Sequence, residues 1–161
     1  MQLFVQIDGA SQFADLLKSS DEFVRSRMAR AVNETAVTFT RIARNYAPID
    51  KGALRASLSS GITFAQPSQN PMMAVVGSNL KYAVYQEMGT GVYAGNGPIR
   101  PKRAKMLRWK SKSGKWIFAK SVKGSKPRKF MQKARDEITP IFESRLKEAS
   151  GEIINHLGAG V

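Results

Sequence analysis

Few side chains in this sequence are equipped for chemistry. The 161 residues include no cysteine and a single histidine, His156. That excludes a thiol nucleophile, a disulfide framework, an iron–sulfur cluster and a cysteine zinc site, and one imidazole does not build a multi-histidine metal centre. Asp50 and Glu87 are the acids in the middle of the chain, each beside a loop. A paired-carboxylate hydrolase or a divalent-cation site needs several oxygens converging on one point, and these two stand alone. No P-loop, GxGxxG, HExxH or GxSxG is present. Gly89-Thr90-Gly91 has no lysine placed for phosphates and reads as a turn. The expectation is therefore no enzyme, no cofactor and no metal. Asp50 reads as a turn cap accepting backbone N–H groups two residues on, Glu87 as a salt-bridge partner, and His156 as a helix-end residue.

What the sequence does offer is charge. Lys and Arg number 26 against 12 Asp and Glu, a net +14, with a pI near 10.4. The excess is local. Residues 1–97 hold nine basic and seven acidic side chains, 100–135 hold fifteen basic and no acid, and 136–161 hold two basic and five acidic. Such a segment calls for phosphates or an acidic partner, which would relieve its self-repulsion. The candidate contact residues are Arg100, Lys102, Arg103, Lys105, Arg108, Trp109, Lys115, Trp116, Phe118, Lys120 and Lys123. Aromatics among cations stack on bases, pack a hairpin face onto a neighbour or anchor a protein interface. No run of apolar residues is long enough to span a membrane, and MQLFVQIDGA lacks the pattern of a secretory signal.

The elements that would position this segment follow from periodicity. Leu3, Val5 and Ile7 alternate as a short strand closed by Asp8-Gly9, and Ala10 to Lys18 reads as one or two helical turns. Ser20 caps a long helix with Asp21 and Glu22 in its first turn. Its stripe is Val24, Met28, Ala31, Thr35, Phe39, Ile42 and Tyr46, and Pro48 stops it. Over Asp21–Tyr46 it would be roughly 39 Å long. Gly52 supplies a positive φ in the turn that follows. Leu54 to Leu58 is a short turn or helix, and 58–66 and 72–78 read as strands around a turn-rich loop. Tyr82, Tyr85 and Met88 have helical or turn spacing. Met106–Ser111 and Lys115–Val122 flank Lys112-Ser113-Gly114 as a hairpin. Gly124–Pro127 is a linker. From Arg128 a helix runs through Phe130, Ala134, Ile138, Leu146, Ala149 and Ile153 to Gly158, kinked or divided at Pro140, and the tail Ala159–Val161 is loose. The fold class is α+β.

Two ordered motifs carry a family resemblance. Ala47-Pro48-Ile49-Asp50-Lys51-Gly52-Ala53-Leu54-Arg55-Ala56-Ser57 reads AP-x-D-x-G-x-L-R-x-S, and Tyr82-Ala83-Val84-Tyr85-Gln86-Glu87-Met88-Gly89-Thr90 reads YA-x-Y-x-E-x-GT. With Pro127, Phe130-Met131 and Ala134 they resemble the HK97 gene-product-ten-like minor tail proteins of long-tailed bacteriophages and prophages. Over roughly residues 1–150 the likeness implies a tail-completion or head–tail joining protein. Its fold would be a small curved antiparallel sheet packed by one long helix, with a protruding hairpin and a long C-terminal helix. It also implies one neck domain over 1–161 with a flexible basic arm at 89–126. The implied partners are further copies in a ring, sixfold favoured, other neck or tail proteins, and packaged DNA in transient contact, with no membrane. The chain would be monomeric in solution, in the host cytoplasm before assembly and in the virion after it. Pro48, Asp50, Gly52, Leu54, Tyr82, Tyr85, Glu87, Gly89, Thr90 and Phe130 are the motif residues expected to shape the structure. A sequence-nonspecific DNA-binding protein using 100–135 is the alternative.

Overall fold

Apolar residues at helical spacing in two long segments dictate the largest contact in the molecule. The computed structural model describes residues 3–7, 22–69 and 71–158. The readings at Asp8-Gly9, Ala10–Lys18, Ser20, Asp21 and Ala159–Val161 lie outside the described residues. The order is β1 (Leu3–Ile7), α1 (Glu22–Tyr46), α2 (Ala53–Ser60), β2 (Ile62–Thr63), β3 (Ala74–Ser78), α3 (Ala83–Met88), a 3₁₀ turn (Gly91–Ala94), β4 (Leu107–Lys110), β5 (Trp116–Ala119) and α4 (Phe130–Gly158).

Helices α1 and α4 run antiparallel along each other. Phe23 stacks on His156 with ring centroids 3.8 Å apart. Arg27 pairs with Glu152 at 3.2 Å, and Arg145 donates to the Thr35 and Thr38 hydroxyls. At the other end the Tyr46 phenol donates to Glu137 Oε2 at 2.9 Å. That bond and the Glu137 charge hold the phenol pKa above its ordinary 10.0. Both favour the protonated ring, so the contact is complete at neutral pH and is lost as pH rises through the raised value.

The sheet has the order β1-β3-β2, antiparallel throughout. Leu3 faces Ser78 and Ile7 faces Ala74 on one side of β3, and Ile62 faces Val76 on the other. Helix α1 lies between this sheet and α4, and its buried arc is accordingly wider than the single stripe in the sequence. Val32, Ala36 and Ala43 are buried with Met28, Phe39 and Ile42, whereas Tyr46 is 44% exposed. Asn33, off that stripe, holds the loop after β2, donating to Ala65 O and accepting from Ala65 N–H.

One strand reading and one helix reading are corrected. Residues 58–60 continue helix α2, and the strand after it is only Ile62–Thr63. Leu58, where the expected short turn or helix and the expected strand met, is fully buried as the last apolar residue of the helix. Helix α4 passes through Pro140 as one element. Proline removes the bond to the Asp136 carbonyl, and both residues lie on the exposed side, where water reaches that carbonyl. Pro140→Ala is expected to stabilise the fold by about 1–3 kcal/mol, read as a higher urea midpoint at unchanged slope.

Candidate functional site

The two motifs are first of all devices for joining helices. Pro48 ends α1, and Arg55, one turn into α2, reaches back to its open end. The guanidinium donates to Ala47 O and Asn45 O, each at 3.2 Å, which satisfies carbonyls that a helix C-terminus leaves free. Gly52 stands before α2 at φ +76°, Leu54 is buried, and the Ser57 hydroxyl shares a 2.7 Å hydrogen bond with Ser78 on β3. Asp50 does not cap the turn: it is exposed, and no hydrogen bond from another described residue reaches its carboxylate. The turn is held instead by the Gly52 carbonyl, which accepts Ala56 N–H, and by Arg55.

The second motif starts α4. Glu87 accepts Met131 N–H on Oε2 at 2.9 Å and Gln132 N–H on Oε1 at 3.0 Å. These are the donors that a Ser or Asp at the N-cap would normally satisfy. The N-cap is Lys129, which accepts Lys133 N–H, has φ +53° and carries no acceptor side chain. Glu87 supplies the missing cap from 44 residues away and puts an anion at the helix N-terminus. The salt-bridge reading of Glu87 is thus corrected. The backbones then zip together. Arg128 and Lys129 donate to Gln86 and Glu87, Thr90 to Ser125, Val92 to Lys123, and Ile99 exchanges both bonds with Val122. So 124–127 is not a free linker. Gly89 permits the approach: φ is +78°, and a Cβ there would lie 2.7 Å from Ser125 O and 2.9 Å from Pro127 N. Thr90 Oγ1 accepts Ser125 N–H, and Phe130 is fully buried beyond the clamp.

Between the clamped ends the basic segment forms a hairpin. Its register pairs Leu107 with Ala119, Arg108 with Phe118, Trp109 with Ile117 and Lys110 with Trp116. Side chains alternate along a strand, so the aromatics do not share one face. Leu107, Trp109, Ile117 and Ala119 make one face, and Arg108, Lys110, Trp116 and Phe118 make the other. Arg108 lies 4.5 Å and Lys110 5.3 Å from the centre of the Trp116 ring. Neither face is packed away: Trp109 is 39%, Trp116 51% and Phe118 56% exposed. The hairpin makes no extensive contact with the helices or the three-stranded sheet. Arg100, Lys102, Arg103, Lys105, Lys115, Lys120 and Lys123 are all exposed along it and its flanks.

Tyr82, Tyr85 and Met88 form an exposed strip on α3, and Ile49 is 68% exposed. A groove of about 650 Å³ joins the motifs, lined by Ile49, Asp50, Lys51, Tyr82, Gln86 and Arg128 among others, with Lys112 of the hairpin turn at its edge. Among the described residues no cluster of His, Asp and Glu suits a metal ion, and no helix is long and apolar enough to cross a membrane.

Comparison with known families now bears on these motifs. The family described as "Bacteriophage HK97-gp10, putative tail-component" matches residues 11–89. Over that stretch, just under half of its length, the chain is similar to this family. The match contains α1, the first motif and the second up to the clamp glycine Gly89, and ends before Thr90, the hairpin and α4. No curated protein and no solved structure gives a significant match. The likeness links residues 11–89 to a family described as a bacteriophage tail component.

Missing from the sequence reading were the caps by Glu87 and Arg55. One signal for the first was available: a long helix opening on Lys129-Phe130 has no capping residue of its own, so a distant acceptor must serve.

Glu87→Ala is expected to cost about 1–2 kcal/mol through the lost cap, and Gly89→Val to prevent closure of the clamp. Both should raise amide exchange at Met131 and Gln132 before the rest of α4. Asp50→Ala should leave thermal unfolding nearly unchanged, whereas Gly52→Val should cost about 1–2 kcal/mol, since a β-branched residue is strained at positive φ.

Proposed function

We propose that this chain is a non-enzymatic structural protein of a tailed bacteriophage or prophage, acting at the head–tail junction or upper tail end in tail completion and joining. In this reading residues 1–161 form one neck domain whose arm, 89–126, reaches a neighbouring subunit. The chain is monomeric in the host cytoplasm and enters the virion as a subunit of a ring, with sixfold symmetry favoured and other neck or tail proteins as partners.

The family match supports the tail context. The observation that carries the assembly role is the hairpin with both faces exposed, beside the exposed strip Tyr82, Tyr85 and Met88. Among the described residues the hairpin has no extensive packing partner, and an isolated two-stranded hairpin is marginally stable in water. Aromatic and methionine side chains are enriched where protein surfaces meet. Among the described residues neither surface is covered, and contact with a neighbouring subunit would use both.

Electron microscopy of a lysate from the parent phage lacking this gene tests the role. Filled heads beside separate, complete tails are expected; normal joined particles would overturn it. Deleting 106–121 should leave a soluble, folded protein that fails to restore particles, because the core lies entirely outside the hairpin.

A further inference from the structure

Eleven Lys and Arg fall between Arg100 and Lys126, with no acid among them. All eleven are exposed. The ion pairs formed among the described residues are Arg27–Glu152, Arg30–Glu34 and Arg135–Asp136, so none of the eleven is neutralised there. A second copy brings a like-charged arm, and the rest of its chain holds 15 basic against 12 acidic side chains, so a neighbouring subunit leaves much of the arm's charge unmet. A polyanion would meet it.

The hairpin's geometry narrows the choice. Leu107, Trp109 and Ile117 share one face, and Arg108 and Lys110 share the other with Trp116 and Phe118. The second face therefore alternates ring and cation along the ribbon, with its two cations two residues apart on one strand. A nucleic-acid backbone needs only cations spaced along a ribbon, since duplex DNA carries one charge per about 1.7 Å of its axis. A two-stranded ribbon also fits the roughly 12 Å wide major groove of B-form DNA, whereas the A-form groove of RNA is too narrow. Arg108 and Lys110 both lie over the Trp116 ring, which positions the cations and occupies the indole that base stacking would use.

We infer that the β4–β5 hairpin binds the phosphate backbone of double-stranded DNA, without sequence preference, through Arg108 and Lys110 together with Lys112 and Lys115 of its turn. This binding belongs to the isolated protein and is measured without particles, so its outcome is separate from that of head–tail joining.

The test uses the full chain and a labelled duplex of about 30 bp, followed by fluorescence anisotropy at rising salt. With about four phosphates neutralised, affinity should fall roughly a hundredfold between 50 and 200 mM salt, equally for unrelated sequences. The combined variant R108Q/K110Q/K112Q/K115Q should flatten the log–log salt slope by about 3–4. The control R41Q/R44Q/K51Q/K81Q removes the same charge from exposed sites elsewhere and should leave the slope nearly intact. Both tryptophans are on the hairpin, so DNA should also change the intrinsic fluorescence. Absence of binding at about 100 mM salt, where several phosphate contacts still hold DNA, overturns the inference. An equal loss in the control, binding without a fluorescence change, or displacement of DNA by polyglutamate of matched charge overturns it as well.

Discussion

The carboxylate of Glu87 sits on the first free amides of α4, and much of the molecule depends on that contact. A 29-residue helix begins there, at a residue unable to cap itself. The acid comes from a short helix that follows the central strand, so the cap ties the sheet side of the molecule to the α1–α4 pair. The same contact closes the root of the basic arm. Residues 90–99 and 122–125 are drawn together because Glu87 and Gly89 have already brought their neighbours within hydrogen-bonding distance.

The two family motifs thereby acquire physical meanings. AP-x-D-x-G-x-L-R-x-S turns the chain out of α1, closes its carbonyl end with Arg55, and buries Leu54 and Ser57 against the sheet. YA-x-Y-x-E-x-GT buries Ala83 and Val84, caps α4 and admits the returning chain at Gly89. Both motifs place their remaining side chains, Ile49, Asp50, Tyr82 and Tyr85, on the outside. A rigid body built on caps and turns thus presents one apolar strip, one groove and one cationic ribbon. That division suits a component whose work is contact rather than catalysis.

The hairpin contrasts with this body. The helices bury Phe39, Phe130, Met131 and Leu58 almost completely, while four aromatic or β-branched side chains of the hairpin remain in water. Its alternation gives one face of Leu107, Trp109, Ile117 and Ala119 and another on which Arg108 and Lys110 stand beside Trp116 and Phe118.

Much of this was legible in the residues themselves. The 3.6-residue repeat of Met28, Ala31, Thr35, Phe39 and Ile42 sets α1, and that of Phe130, Ala134, Ile138 and Ala149 sets α4, because such spacing demands a partner along one face. The hairpin turn at Ser113-Gly114 and the concentration of charge at 100–135 are equally local properties. Long-range partners were not legible. Whether Glu87 meets a cation or a helix end depends on where residue 131 lies, and nothing within a few residues of position 87 records it. Asp50 looked like a cap because its type and neighbours suit one, but Arg55 and Gly52 hold that turn. Val32 and Ala36 became core only because a second layer packs on α1. Which aromatics share a face was decided by strand register. Periodicity is a property of the chain, whereas capping, layering and register depend on which distant segments meet, and only the tertiary structure decides that.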